Sequence, residues 1–432
     1  MEDSSIVLAG KLGIAIVCSA AMFLTIRHPR SFSLTNRQFS FVSLALLLIS
    51  RMGLFIGLYL ILGYEVKADV GHFYFQEGRA VLDGKTVYQD FATSYSPLFP
   101  YLIAVILLIW HSAKAIVLAA IIFEFLSLSV WLAVSRRWFD EKTTRIATLL
   151  YVTSPIPLLN VGMNGQNQIW VAFLLVISLW LLSRRDTVSG FVQGFSLIAI
   201  KALSLLFVPV IWLFAASRFR WLAAFAMLPA FTLLIASYNE INLFFPLQFQ
   251  AGHFTGGNLP YLTTIFGIDP TEGPARLIFD SITMLALMAV FLRAWSQGVH
   301  RDPRNVIHLM TLVMLTFFLT SKKAYTSYLV MSFFVFCISL ASHSQGWRAL
   351  FTFATFGILA SLEPSLHFRW MFSGGEKQYL SVLFQETLPE GMVRWKACAF
   401  LLWDMALVAC YVWYFRLTWR KLLGKHRSDS SE

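Results

Sequence analysis

The chain has 432 residues, 57% of them hydrophobic and only 13% charged. Soluble domains average about 25% charged, so an ordinary soluble enzyme is excluded and a polytopic membrane protein is expected. The formal net charge is +11, but the excess sits in short loops and in the tail "RLTWRKLLGKHR". That is the positive-inside bias of membrane proteins, and no nucleic acid is expected as a partner.

In chain order, the start "MEDSSIVLAG" lacks the basic region of a cleavable signal, so the first apolar run reads as a retained span. A span needs about 20 apolar residues. Spans are expected near 6–26, 39–62, 114–135, 146–161, 169–183, 189–201, 203–217, 221–238, 276–294, 305–320, 325–342, 347–362 and 395–416. The fold class is therefore all-α, a single transmembrane bundle of about thirteen spans over 1–432. The two short runs around Lys201 read either as a helix pair or as one broken helix.

The run "SPLFPYLIAVILLIW", 96–110, fixes the sidedness. Left out of the span count, it puts "RHPRSFSLTNRQ", "RRWFDEKTTR", "SRRD", "SRFR", "HRDPR" and the basic tail 417–432 all on the cytoplasmic side. It then reads as a helix at the outer interface. Four polar segments fall outside, at 63–113, 162–168, 239–274 and 363–396, joined by "TSKKAYTS". Long loops are disproportionately where function resides.

The first outer loop stands out. Residues 65–102 carry five acids, three bases, a histidine and three glycines inside an otherwise apolar chain. Asp69 follows a span by a few residues, at the depth where a lipid headgroup and water meet. A carboxylate there is a candidate base for a hydroxyl proton, or else a helix cap or a partner for Lys67 or Arg79. Phe73, Tyr74 and Phe75 suit sugar stacking or an interfacial aromatic belt. The "LDGK" around Asp83 reads as a turn.

Elsewhere, Lys322 and Lys323 lie on the outer side against the positive-inside bias. They are candidates for phosphate binding or for snorkelling to headgroups. Tyr325 and Tyr328 flank them. Asn164, Gln166 and Asn167 form an amide cluster at an outer turn, for sugar hydrogen bonds or simply a polar turn. His253 and Asn258 sit in a glycine-rich outer loop. Arg51 and Glu124 fall mid-span, where isolated charges are costly, and a structural ion pair between them is expected. Asp404 is also mid-span and is expected to face inward. The four cysteines lie in apolar runs and read as buried packing thiols. No Gly-rich nucleotide loop and no zinc spacing is visible, so neither a cofactor nor a metal is expected.

The ordered pieces "KADVGHFYFQEGRAVLDG", "YSPLFPYL", "NVGMNGQNQIWVAFLL", "GFVQGFSLIAIKALSLLFVP", "GHFTGGNLPYL" and "LTSKKAYTSYLV" together resemble the GT-C superfamily. These are integral-membrane glycosyltransferases that use polyprenyl-phosphate sugars. The likeness runs over about 39–340 and is nearest to the bacterial polyprenol-phosphate-mannose-dependent mannosyltransferases and the enzyme that adds the first mannose of GPI anchors. It implies transfer of a sugar, mannose favoured, from a polyprenyl-phosphate donor to the hydroxyl of a lipid-linked or glycan acceptor. The location implied is the outer face of a plasma (inner) membrane.

On this resemblance Asp69 is the base. Lys322, Lys323, Tyr328 and Lys201 hold the donor phosphate. Asn164, Gln166, His253, Asn258 and Tyr74 contact sugar or acceptor. The sequence departs from the D-x-D pattern of the GPI enzymes, since Gly71 stands at the second acid. A transporter or flippase for a lipid-linked saccharide is the alternative, and a non-catalytic scaffold a third reading. A transporter should gather its polar groups near the midplane, whereas here they cluster at the outer ends of spans.

Overall fold

In the structure, a computed structural model, residues 4–27, 33–343, 346–367, 379–384 and 394–423 are described. Arg369, a basic residue of the outer segment 363–396, and the tail 424–432 lie outside them. Among the described residues the fold is all-helical. Each of the thirteen expected spans coincides with helix, but among the described residues seven helices have the length and apolarity to cross a membrane. They are Ile6–Arg27, Asn36–Ile61, Ala113–Trp138, Glu141–Met163, Arg218–Tyr238, Gly273–Ser296 and Arg394–Leu423.

The other apolar helices are shorter, and burial explains why. Asn305–Thr320 and Thr326–Ala341 are surrounded almost completely by protein. Their ends rest on other helices rather than on lipid, so they need not match the bilayer thickness.

We number the helices used below in chain order: α1 Ser4–Arg27, α2 Asn36–Phe55, α3 Phe75–Leu82, α4 Phe99–Ile109 and α5 Ala113–Trp138. Then follow α6 Glu141–Val152, α7 Gln168–Leu181, α8 Asp186–Ala199, α9 Gly273–Ser296, α10 Trp347–Ser365 and α11 Arg394–Leu423. Polar N-caps set several starts, with Thr35 and Gln38 closing a capping box on α2, Ser112 capping α5 and Asp140 capping α6. The eleven residues of α4 reach about 16 Å, half of a hydrocarbon core. It buries Phe99, Ile103 and Leu107 and exposes Leu108 and Ile109. It is too short to cross, as the charge bookkeeping on the loops requires.

The basic loops gather at one end of the bundle. Arg136 reaches Asn36 and Ser40 in the first turn of α2, Arg137 reaches the Leu182 carbonyl, and the Ser217 backbone donates to Asp186. Arg137, Asp302, Arg304 and Lys421 line one cavity there. Three π-helical turns, Ile56–Ile61, Val70–Tyr74 and Leu158–Met163, distort the helices that run to the opposite, Asp69 end. Such turns often mark functional sites.

Arg51 on α2 and Glu124 on α5 meet as a forked pair. Nη2–Oε1 is 2.9 Å and Nε–Oε2 3.2 Å, with both side chains buried. Arg51 Nη1 also donates to the Val152 carbonyl at 3.1 Å, tying in α6. The cysteines are free, but only Cys337 and Cys410 are buried; Cys18 is half-buried and Cys398 exposed. The expectation of four buried thiols fails because α1 and α11 turn part of their apolar surface outward.

Removing one partner of a buried pair strands the other charge. Arg51→Met or Glu124→Leu alone should cost about 3–5 kcal/mol, and the double variant should recover most of that. Thermal or denaturant unfolding of the detergent-solubilised protein checks it; no recovery in the double variant would refute the pairing.

Candidate active site

The Asp69 end is built around a tight loop. After the π-helical end of α2, Gly63 takes φ +67° and Ala68 takes φ +56°. A non-glycine residue in that region is strained, and it immediately precedes Asp69. Asp69 opens the π-helical turn Val70–Tyr74 and is half-buried. A β-carbon on Gly71 would stand 2.2 Å from the Val66 carbonyl oxygen. The close approach that holds this loop therefore excludes a second acid at position 71, which accounts for the missing D-x-D.

The amide turn docks against the same loop. Gly165, at φ +58°, lets the chain pass where a β-carbon would press on Val117 and Val70 at 3.0–3.1 Å. Gln166, Asn167 and Gln168 are buried there, and Gln166 Oε1, Gln168 Oε1 and both amide atoms of Asn167 have no hydrogen-bond partner. Unsatisfied amides at 1–3 kcal/mol each are unusual inside a protein. They present donors and acceptors to a ligand. Asn164, by contrast, lines an apolar groove of about 270 Å³ with Ile6, Val7 and Ile14 of α1, Leu58, Leu62 and Ala68. That groove opens beside the residue preceding Asp69.

Lys201 arrives through a broken helix. α8 stops at Ala199, and its last carbonyls are taken up by the interface segment. Ser96 Oγ donates to Leu197 O at 2.6 Å and Leu98 N to Ile198 O at 3.0 Å. The chain then turns extended at Lys201 before the 3₁₀ turn Ala202–Phe207. The Lys201 ammonium lies 4.2 Å from the Tyr328 ring centre and 5.7 Å from that of Tyr95. Such cation–π contacts hold a desolvated ammonium without neutralising it.

Of the lysine pair, the one that faces Asp69 is Lys323. Its Nζ is 5.4 Å from the Tyr325 ring centre, and Tyr325 packs edge-on against Tyr328 at 5.4 Å. Asp69 is within electrostatic reach of Lys201, Lys323, Tyr325 and Tyr328. Burial pushes the Lys323 ammonium down to about 7; Lys201 adds to the shift and Asp69 opposes it. Lys322 goes elsewhere: its Nζ forms a 2.8 Å salt bridge with Asp280 of α9. Its charge is therefore matched within the protein.

Glu77, which the sequence reading passed over, belongs to this site. It is buried on α3, and burial pushes its carboxyl up to about 7, with Thr93 lowering it and Asp69 raising it. Glu77 stands eight residues after Asp69, a spacing that keeps both on one helix face. Three other candidates have partners or packing within the protein, although the buried Tyr74 hydroxyl has no hydrogen-bond partner. Tyr74 is fully buried, edge-on to Tyr95 and Phe99, each at 4.9 Å. Asn258 caps the turn at Tyr261 and donates to Thr255 and Gly256, so its amide is fully engaged. His253 Nδ1 sits 2.8 Å from the Phe249 carbonyl of the short helix Phe245–Ala251 that precedes it.

Comparison with known proteins adds a little. No family model matches the chain, and no curated protein matches it. Among solved structures, the crystal structure of the oligosaccharyltransferase of Archaeoglobus fulgidus, tethered to an acceptor peptide, is similar at 13% identity and a TM-score of 0.36. The alignment covers 88% of this chain and 55% of that one, so this chain spans little more than half of its length.

The Gly71 contact makes a clear contrast. Gly71→Ala must displace the Asp69 loop and should destabilise by about 1–3 kcal/mol. Gly53→Ala on α2 meets nothing within 4 Å and should be neutral or stabilising by up to about 1 kcal/mol. Parallel unfolding curves in detergent decide it.

Proposed function

We propose that this chain is a glycosyltransferase that moves a sugar from a polyprenyl-phosphate donor to an acceptor hydroxyl. The observation that carries the reading is one half-buried carboxylate, Asp69, facing two ammonium groups, Lys201 and Lys323, beside an apolar groove. A lipid phosphate is an anion attached to a long apolar chain, and this arrangement suits both parts. The sequence resemblance to GT-C enzymes points the same way and favours mannose.

The chemistry follows from charge. The acceptor hydroxyl gives its proton to the Asp69 carboxylate as its oxygen attacks the anomeric carbon. The bond from that carbon to the phosphate oxygen breaks, and its electron pair leaves on the phosphate. Lys201 and Lys323 stabilise that developing charge. Asp69 then releases its proton to water. The buried amides of Gln166, Asn167 and Gln168 supply hydrogen bonds for sugar hydroxyls. Tyr328 and Tyr325 position the lysines. The lipid tail leaves sideways between α1 and α2. With the basic loops in the cytoplasm, this site opens at the outer face of a plasma membrane.

Asp69→Asn keeps the shape and removes the base. Turnover with a polyprenyl-phosphate sugar and an acceptor alcohol should fall by about 10²-fold or more while donor binding survives. Full turnover in Asp69→Asn would end the proposal.

Lys323 adds a pH signature. Its depressed ammonium is protonated below about 7 and loses its charge above it. The apparent donor affinity should therefore weaken as pH rises through 7. Lys323→Arg, which stays charged, should bind donor and show a flatter profile. Lys322→Ala, which removes only the partner of Asp280, should leave the profile as in the wild type. A KM profile for the three proteins checks this; a slope unchanged in Lys323→Arg would remove Lys323 from phosphate binding.

A further inference from the structure

A second group of acids lies where α10 and α11 meet the loop around Gly256, and Tyr325 is within electrostatic reach of both Asp69 and Glu363. Glu363 and Asp404 are both buried there. A β-carbon on Gly256 would stand 2.8 Å from Glu363 Oε1 and 3.2 Å from Asp404 Oδ2. The two oxygens are therefore no more than about 6 Å apart, with Phe400 Cζ 3.1 Å from the same point. The Gly257 backbone N–H stands beside Asp404 without a well-formed bond to either oxygen, and Glu363 receives only a long 3.5 Å contact from Thr326 Oγ1. Among the described residues no lysine, arginine or histidine bonds to either acid.

Two buried hydroxyls stand unpartnered at the same place. Tyr261 and Tyr411 are fully buried, their hydroxyls have no hydrogen-bond partner, and each is within electrostatic reach of both carboxylates. Two buried carboxylates this close cannot both stay ionised unless something positive joins them. The two carboxylates and two phenol hydroxyls are oxygen donors, which suit a hard cation better than a soft one; the His367 ring packs behind Tyr261 at 5.5 Å. Hard divalent ions bind oxygens at about 2.3–2.6 Å, spanning roughly 5 Å from one oxygen to the opposite one. The gap at Gly256 has that scale.

We propose that Glu363 and Asp404, with the hydroxyls of Tyr261 and Tyr411, form a buried site for one hard divalent cation of the calcium or manganese class. The ion neutralises both acids and clamps the Gly256–Gly257 turn to α10 and α11. That turn is tied to the lysine segment: Thr255 N donates to Lys322 O at 2.9 Å, and Ala324 N to Thr255 Oγ1 at 3.0 Å. The ion would thereby fix the segment that carries Lys323.

The test is metal content and stability of the full-length protein in detergent, stripped with EDTA and then dialysed against Ca²⁺ or Mn²⁺. The wild type should bind one ion per chain, and the ion should raise its unfolding temperature by several degrees. Asp404→Asn and Glu363→Gln/Asp404→Asn should bind none and show no shift. Gly256→Ala keeps both acids but fills the gap, so it should also lose the ion. Asp69→Asn should still bind one. No bound ion in the wild type, with the double variant as stable as the parent, would mean that the acids share a proton and would overturn the proposal. Loss of the ion in Asp69→Asn but not in Asp404→Asn would place it at the other site and overturn it equally.

Discussion

Everything at the Asp69 end depends on how a helix is allowed to stop inside a membrane protein. The carbonyls of a last helical turn have no partner within the helix, and lipid offers none. At the end of α8 the interface segment supplies them, through Ser96 Oγ on Leu197 and Leu98 N on Ile198. With those bonds made, the chain can leave the helix at Ile200 and turn Lys201 into the protein. The same segment then places Tyr95 under the Lys201 ammonium. One strap of chain therefore sets the break, the cation and the aromatic wall together.

The charges follow the same economy of partners. Buried ions survive where they are paired or aromatic-shielded, and each treatment has a different use. Arg51 and Glu124 are paired and bidentate and do not line the groove beside Asp69, which fits a structural role. Lys322 is paired too, with Asp280. Lys201 and Lys323 are held by rings, which shield the ammonium from lipid and leave its charge available. The cations that keep unspent charge are the ones that face Asp69.

Much of this was legible in the sequence. The helical segments, a 96–110 run that does not make a full-length crossing and the gathering of basic loops follow from apolar runs and charge patterning alone. The number of full-length crossings does not, because helices such as Asn305–Thr320 are buried on all sides and look in composition like any other span. The resemblance favours Lys322 as the phosphate ligand, whereas the structure pairs Lys322 with Asp280. Lys322 and Lys323 sit in an extended segment, where consecutive side chains point to opposite faces. The sequence shows two candidate lysines there; only the packing of Tyr325 and Asp280 shows which one points inward. Glu77 was overlooked for the opposite reason. Its helical spacing from Asp69 was visible, but in a loop crowded with acids nothing marked it as buried.

The glycines supply the last link between these observations. Gly71 and Gly165 admit backbone where a side chain would collide, and this brings the Asp69 loop and the amide turn into contact. Gly256 does the same for the loop that meets Glu363 and Asp404. In each case the residue is small because something else must come close: a carbonyl at Gly71, a packed valine pair at Gly165, a pair of acids at Gly256. A bundle of apolar helices gives few specific contacts at its rim, since one lipid-facing surface resembles another. Close backbone approaches, fixed by glycine, supply that specificity instead. They hold the polar loops in one arrangement although the loops have little apolar surface of their own to bury. The rigidity of the site thus comes from steric fit at three positions, and its chemistry from the few charges that fit leaves unpaired.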